Sequence, residues 1–365
     1  MDASAELDEP IPYMARTRAY YGALGYPPYR WAHSGDVPFA SLGKALGESC
    51  IALVTTAAPY RPDKGDQGPG APYNGAAKFF SVYSASADGS PDLRIAHIAY
   101  DRDHTRADDP GSYFPLAALK AAAAAGRIGR VAARFHGLPT NRSQRTTIAV
   151  DAPELLARIR ADGADAAILV ANCPVCHQSL ALAARALEAA GIATVLMGCA
   201  KDVVEHCGVP RFLFSDFPLG NAAGRPHDPA SQEATLHLAL ALLESAVAAR
   251  TTVQSPSSGA PIRPGRRITR ASLGSRPRRS RAAARSSRAR STGRGPGAAR
   301  PDRQPPDDRL HPDGTVVPVR SGPVRQRPPP MPSRPSHPFA KSPITVPRTR
   351  TGPSDARATR RCRWR

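Results

Sequence analysis

The first 256 residues of this 365-residue chain read as an α/β fold, a three-layer sandwich with a mostly parallel sheet, followed by a disordered C-terminal tail. Three observations predict this. From residue 153 onward, short apolar runs alternate with amphipathic stretches over short connections, the pattern of parallel strands covered by helices. The run 166–171 (AAILVA) is apolar without alternation, as a strand buried on both faces must be. Charge marks the boundary: residues 1–256 hold 23 Lys+Arg against 25 Asp+Glu, whereas 257–365 hold 27 against 5, so the net charges are −2 and +22.

The elements follow in order. Residues 11–31 are rich in Tyr and Pro around one short helical stretch, and form a strap over the core or part of a pocket wall. The run 51–57 (IALVTTA) is a strand, followed by a Pro/Gly loop at 59–75. The alternating run 93–100 (LRIAHIAY) reads as another strand. Residues 115–125 form a helix, with Pro at its first turn and Gly126 at its end. A helix at 153–161 takes Asp151 as its N-cap. Then come strand 166–171, helix 177–190 stopped by Gly191, strand 192–197, helix 201–207, strand 211–215 and a long Ala/Leu helix at 229–249. Ligands of such sheets bind at the carboxyl ends of the strands.

The near-neutral body gives no electrostatic reason to expect nucleic acid as a ligand. No apolar run approaches the roughly 18 residues needed to cross a bilayer, and no export signal precedes the body. It holds five cysteines, Cys50, Cys173, Cys176, Cys199 and Cys207. An odd count without an export signal predicts free thiols in the reducing cytoplasm. In the tail Arg outnumbers Lys 26 to 1 and nineteen prolines fall in 109 residues, too little apolar surface to offset chain entropy. Two origins fit it: a basic arm for an acidic partner, or frame-shifted translation of a GC-rich gene. The nucleotide sequence decides between them.

The chemistry is carried by Asn172-Cys173-Pro174-Val175-Cys176-His177, between the strand at 166–171 and the helix at 177–190. Two cysteines three apart on a first helical turn bring their sulfurs together. The helix start, with unpaired N–H groups and a positive end, favours a thiolate. Pro174 loses no hydrogen bond there. Cys173 is the candidate nucleophile, Cys176 the resolving thiol and His177 a proton relay, for attack through sulfur followed by release as a disulfide. Two other readings stand beside this one. A CxxC is also half of a zinc site, with Cys199, Cys207 and His206 available to complete it, and two cysteines at such a turn can be purely structural. No resident metal or cofactor is expected, and no GxGxxG or Walker sequence occurs in the body.

The strings ILVANCPVCHQSL and MGCAKDVVEHCGVPRFLFSDFPLGNAAGRPHDP resemble the glycine/sarcosine/betaine reductase selenoprotein B family and the related D-proline reductase. The resemblance runs from about Tyr13 to Pro256, through YDRDHTRADDPGSYFPLAALKAAAAAGRIG and TTVQSP. The tail departs where family members continue with a Trp-containing globular ending, in line with a frame shift. The resemblance implies a dithiol-dependent oxidoreductase, acting on X–H and Y–H to form an X–Y bond with a disulfide as acceptor, run in the reductase direction. Its substrate would be small and amino-acid-like, cleaved at a C–N bond. Its electron donor would be a thioredoxin-like protein or a dithiol, and complex subunits would accompany it. Cys173 stands where such members carry selenocysteine, so it would attack the carbon next to nitrogen, with Cys176 aiding release. Here a thiolate replaces the selenolate, a departure from the pattern. Alternatives are a non-catalytic thiol redox or binding subunit, and a zinc-binding regulator.

Further candidates are Asn172 beside the dithiol and Asp216, Gly220 and Asn221 in the loop after strand 211–215, where Asp216 would orient an ammonium and the other two a carboxylate. As a plain turn, Asp and Asn would cap that loop. Cys199 is a candidate secondary thiol or a small buried hydrophobe. Asp101, Asp103, His104, Asp108 and Asp109 form an acidic cluster that reads as a cation or amine site or as a solvated turn. Tyr20, Tyr21, Tyr26 and Trp31 line a pocket or pack under the strap.

Overall fold

The computed structural model describes residues 10–256 apart from 24, 26, 96, 141 and 142. The expectations for the tail, residues 257–365, and for Tyr26 therefore lie outside the described residues.

The core is one eight-stranded sheet. Its strands are β1 (Cys50–Thr55), β3 (Tyr83–Ser86), β5 (Arg130–Val131), β6 (Arg134–Gly137), β7 (Ala166–Val170), β8 (Ala193–Gly198), β9 (Arg211–Phe214) and β10 (Thr251–Gln254). The order is β10-β9-β8-β7-β1-β6-β3, with β5 pairing the start of β1. All neighbours are parallel except β3, which runs antiparallel to β6 on the edge. Two further short strands, β2 (Ala58–Pro59) and β4 (Leu93–Arg94), pair with each other. β1, β7, β8 and β9 are buried along their whole length. Their sequences, apolar apart from Arg211 in β9 and single threonines, suit burial on both faces.

Helices cover both faces. α5 (Pro174–Ala189) packs with α6 (Lys201–Cys207) and α4 (Ala152–Ala161), and α1 (Tyr13–Ala23) lies against α5 and α6. α2 (Leu116–Ala124) packs against α7 (Pro229–Ser245). The predicted three-layer sandwich with a mostly parallel sheet is the observed fold. No helix among the described residues is long and apolar enough to cross a membrane.

Three local expectations are corrected. The run 93–100 is a strand only at β4; beyond it the chain turns at Ile98–Tyr100. Asp151 is not an N-cap: it has helical backbone angles and sits inside a helical segment that starts at α3 (Gln144–Thr146) and passes through a π-type turn, Thr147–Asp151. The cap is Ser143, whose side chain accepts from the Thr146 N–H. α7 ends at Ser245, and the residues after it add β10 to the sheet edge.

One buried ion pair ties the N-terminal strap to the sheet. Arg211 on β9 donates to Glu188 on α5 at 2.8 Å, and both side chains are buried. Glu188 also accepts from the Thr194 N–H and hydroxyl, and from the Ala40 N–H, while Arg211 donates to the Ala40 carbonyl at 2.7 Å. Arg211 further stacks over Phe39, 4.1 Å from its ring centre. Removing one member leaves a buried charge uncompensated, which costs about 3–5 kcal/mol. Arg211→Ala is therefore expected to lower the free energy of unfolding in urea by that amount, and Arg211→Met with Glu188→Leu by much less. Equal losses in both variants would show that packing, not the unpaired carboxylate, dominates.

Candidate functional site

The dithiol stands at the strand-to-helix turn after β7. Cys173 is the N-cap of α5, with φ −146° and ψ 167°, and Pro174 takes the first helical position, where its missing N–H costs nothing. The Cys173 sulfur accepts the Cys176 N–H at 3.3 Å, as a capping side chain does. Cys176, one turn in, is fully buried, and its sulfur lies 3.1 Å from Thr140 Oγ1. All five cysteines among the described residues are free thiols.

β1 and β7 are adjacent, yet the chain leaves them toward opposite sides of the sheet: from β1 it next joins the sheet at β3, beyond β6, and from β7 it goes to β8. This is a topological switch point, where the ends of parallel strands leave a crevice. Around it is an open cleft of about 510 Å³, solvent at its mouth included, lined by Cys173, Pro174 and Val175 from the turn and by Thr17, Tyr20 and Tyr21 from α1. Thr140 beyond β6, Tyr73, Lys78 and His97–Ala99 complete the wall.

Two clasps hold that wall. α1 is fixed by the Met14 N–H donating to Asp202 of α6 at 2.7 Å, and the strap by the Ala32 N–H donating to Gln178 of α5 at 2.7 Å, with Gln178 donating to the Tyr29 hydroxyl. The loop carrying His97 is fixed by the Arg102 guanidinium, which donates to the carbonyls of Ala71, His97 and Ile98 at 2.8, 2.6 and 3.1 Å. Arg102 in turn lies over Tyr100, 3.9 Å from the ring centre.

Sequence reasoning assigned His177 as a proton relay, and the geometry gives it another role. The ring is fully buried. Nδ1 donates to the Cys173 carbonyl at 2.7 Å, while Nε2 accepts from the N–H groups of Cys199 and Ala200 at 2.9 and 3.2 Å. Backbone partners on both nitrogens fix a neutral tautomer and leave no proton to relay. Burial lowers its pKa from 6.5 to about 4. His177 thus staples the dithiol turn to the end of β8. Gly198 permits it, since a Cβ there would lie 2.5 Å from the ring.

Burial pushes the Cys176 thiol up, but the thiol hydrogen bond with Cys173, the charge and hydrogen bonding of His97, and Thr140 outweigh it and bring Cys176 well below its ordinary value of 9.0. The hydrogen bond between the two thiols couples their titration, so the shift is a property of the pair. Cys173 borders the cleft and Cys176 lies behind it. Two further polar groups at the cleft wall lack internal partners: Thr17 Oγ1 and His97 Nδ1. The Asn172 amide, buried beside Cys173, lacks partners on both its atoms. Unsatisfied buried polar groups cost about 1–3 kcal/mol each; of these three residues, Thr17 and His97 line the cleft.

The other predicted site residues lie elsewhere. Asp216, Gly220 and Asn221 do not line the cleft. Asn221 is buried, and its Oδ1 accepts from the hydroxyls of Thr105 and Ser112, both at 3.1 Å, which stitches two loops together. Gly220 has φ +118° and packs against Tyr100 and Ile95. Cys199 is buried below Pro218, and burial raises Cys207 to about 12. The His206 ring lies tilted against His33, with ring centres 4.8 Å apart. Asp101 accepts from the N–H groups of Asp103 and His104 and from the His104 ring, and Asp109 caps the next turn, so the acidic cluster is a set of capped turns. Tyr20 and Tyr21 line the cleft, while Trp31 packs edge-on against Tyr29. His97, Thr140, Tyr73 and Lys78 were not found from the sequence.

With this geometry in hand, comparison with known proteins is informative. The chain is 29% identical over 193 residues to D-proline reductase subunit gamma of Acetoanaerobium sticklandii, a match covering 52% of this chain and 76% of that protein. It is 27% identical over 217 residues to glycine reductase complex component B subunit gamma of Carboxydothermus hydrogenoformans, covering 57% of this chain and 47% of that protein. The chain is a relative of these reductase gamma subunits. No family model matches it, and no solved structure does. The family resemblance read from the CPVC blocks is therefore borne out by these relatives.

Two measurements test the electrostatics. His177 and His136 are both lowered from 6.5 to about 4, in each case by burial first. Between those values the unfolded chain binds protons that the folded chain does not, so stability falls as pH is lowered through that window. Urea midpoints are expected to show this, with a shallower slope in His177→Gln and His136→Gln. The ultraviolet thiolate band should titrate well below 9.0, and His97→Ala or Thr140→Val should move its midpoint up; an unchanged midpoint in both would remove those groups from the account.

Proposed function

We propose that this chain is a dithiol-dependent reductase that cleaves a C–N bond of a small amino-acid-like substrate, as the substrate-binding component of a multi-subunit system. The observation that carries this reading is the pair of sulfurs, one lining and one backing a cleft at the mouth of the parallel sheet. The kinship with gamma subunits of D-proline and glycine reductase supports the reaction class and the expectation of partner subunits.

In this mechanism Cys176 begins as the thiolate of the pair. It takes the Cys173 proton as Cys173 Sγ attacks the carbon bearing nitrogen. A C–S bond forms, the C–N bond breaks, and the nitrogen leaves with the electron pair and takes up a proton. Cys176, having passed its proton to the leaving nitrogen, attacks Cys173 Sγ as a thiolate; the S–S bond forms, the C–S bond breaks, and the carbon keeps the electron pair and takes a proton from solvent. The product disulfide holds the two electrons' worth of oxidation, and an external dithiol or thioredoxin-like donor reduces it. Lys78 is the one Lys or Arg among the described cleft-lining residues and suits a substrate carboxylate. The tyrosines enclose the remainder, Thr17 offers a hydrogen bond, and Asn172 stands buried behind the cleft wall beside Cys173. His177 is a positioning residue here. Gly220 and Asn221 support the neighbouring loops rather than the substrate, Asp216 does not line the cleft, and Cys199 stays outside the exchange. Residues 1–256 carry this function in the cytoplasm, and the tail 257–365 takes no part in it.

Cys173→Ser and Cys176→Ser test the reading. Both are expected to abolish dithiol-dependent turnover of small N-substituted amino acids, assayed with the partner subunits present. Cys176→Ser should accumulate a covalent adduct on Cys173, read by mass spectrometry of acid-quenched protein. If the parent chain forms no 173–176 disulfide across a dithiol/disulfide redox series, the reductase reading falls.

A further inference from the structure

The sequence offered Cys199, Cys207 and His206 as partners for a CxxC metal site, and the fold does not bring them to it. Among the described residues, the potential ligands that do converge are His97, Cys173 and Cys176: one ring nitrogen and two sulfurs, all within 4.8 Å of one another. We propose that these three form a binding site for a thiophilic divalent cation, with zinc as the default, whose fourth coordination position faces the cleft, and that its occupancy masks the dithiol.

The chemistry and placement both favour this. Two thiolates and an imidazole are a soft, borderline donor set that selects zinc over hard cations. Zn–S near 2.3 Å and Zn–N near 2.0–2.1 Å in a tetrahedron put ligand atoms roughly 3.5–3.8 Å apart. The ligand atoms already lie within 4.8 Å of one another, so side-chain rotation at these positions is the adjustment such a site needs. The sulfurs are held ready, Cys173 by the Cys176 N–H and Cys176 by the Thr140 hydroxyl. His97 Nδ1 is buried and has no hydrogen-bond partner, and Arg102 pins the His97 backbone. Cys173 and His97 both line the cleft, so a metal held between them keeps one side open to it.

Binding is an acid–base event, not a redox one. Both sulfurs bind as thiolates, the protons they carried go to solvent, and no electrons change hands. A metal-bound pair has no free thiolate for substrate and resists oxidation to the disulfide. The site itself follows from the three ligands; the masking role rests on the reductase reading above.

The test uses the purified, reduced full-length chain with cobalt(II) as a spectroscopic probe and zinc as competitor. One cobalt per chain is expected, with thiolate-to-metal charge-transfer bands and the intense visible bands of a tetrahedral site, displaced by one zinc. His97→Ala should weaken binding by at least about tenfold. Cys199→Ser and Cys207→Ser should leave the spectrum unchanged, and prior oxidation to the 173–176 disulfide should abolish it. Far-UV circular dichroism reports folding, and His97→Ala, a loop change, carries the test if a cysteine variant unfolds. Cobalt bound without charge-transfer bands, or bound as tightly by folded His97→Ala, overturns the proposal. A chain that forms the disulfide but takes up no metal loses the metal site and keeps the reductase reading. A chain that binds the metal but never forms the disulfide does the reverse.

Discussion

β7 is wholly buried, and the chain must pass from its last residue into α5 within a few positions. That turn fixes everything about the site. A strand end and a helix start meeting so closely leave backbone N–H groups without helical partners, and a capping side chain must meet one of them. Here the capping side chain is a thiol. The hydrogen bond that completes the helix start therefore also stabilises charge on sulfur, and the second cysteine comes one turn later, where its sulfur can share the first one's proton. On the proposed function, folding and reactivity would be served by the same contact.

The turn cannot hold that geometry unaided. His177 staples it to the neighbouring strand through backbone bonds on both ring nitrogens. A charged imidazolium would lose the acceptor that binds Cys199 and Ala200, so burial, which keeps the ring neutral, is part of the staple. On the cleft side the wall hangs on Asp202, which accepts from the first turn of α1, and on Gln178 and Arg102, which satisfy backbone or hydroxyl groups of segments without regular structure of their own. Charged and amide side chains do in these loops what ladder hydrogen bonds do in the sheet.

Much of this was legible in the sequence, and the misses have physical causes. Strands β7 to β9 and their helices were readable because burial on both sheet faces forces continuous apolar runs, and helix starts and stops carry Pro and Gly. The CxxC was readable because its spacing is local. His97 was hidden by its own surroundings: LRIAHIAY alternates as a strand does, yet pairing stops after Arg94 and an arginine five residues beyond His97 dictates the loop. Thr140, Tyr73 and Lys78 reach the cleft on loops, where no periodicity reports direction. Asn221 was misread for the opposite reason. Its placement after a strand end suggested a substrate contact, but a buried amide oxygen accepting two hydroxyls is spent on holding loops together.

The presence of His97 beside the sulfurs changes what the pair is. A CxxC on a helix start is poised for disulfide exchange by its local geometry alone. Adding one imidazole from a distant loop lowers the charge cost of the thiolate state and, with the same atoms, supplies a third metal ligand. Both effects grow as the ring approaches the sulfurs, so a site improved for thiolate formation is unavoidably improved for soft cations. The three ligand atoms, all within 4.8 Å of one another, leave the thiols within reach of each other and of a soft cation alike. On the proposals above, the loop that carries His97 would set how far the dithiol leans toward exchange or toward metal, and Arg102 is the residue that fixes that loop.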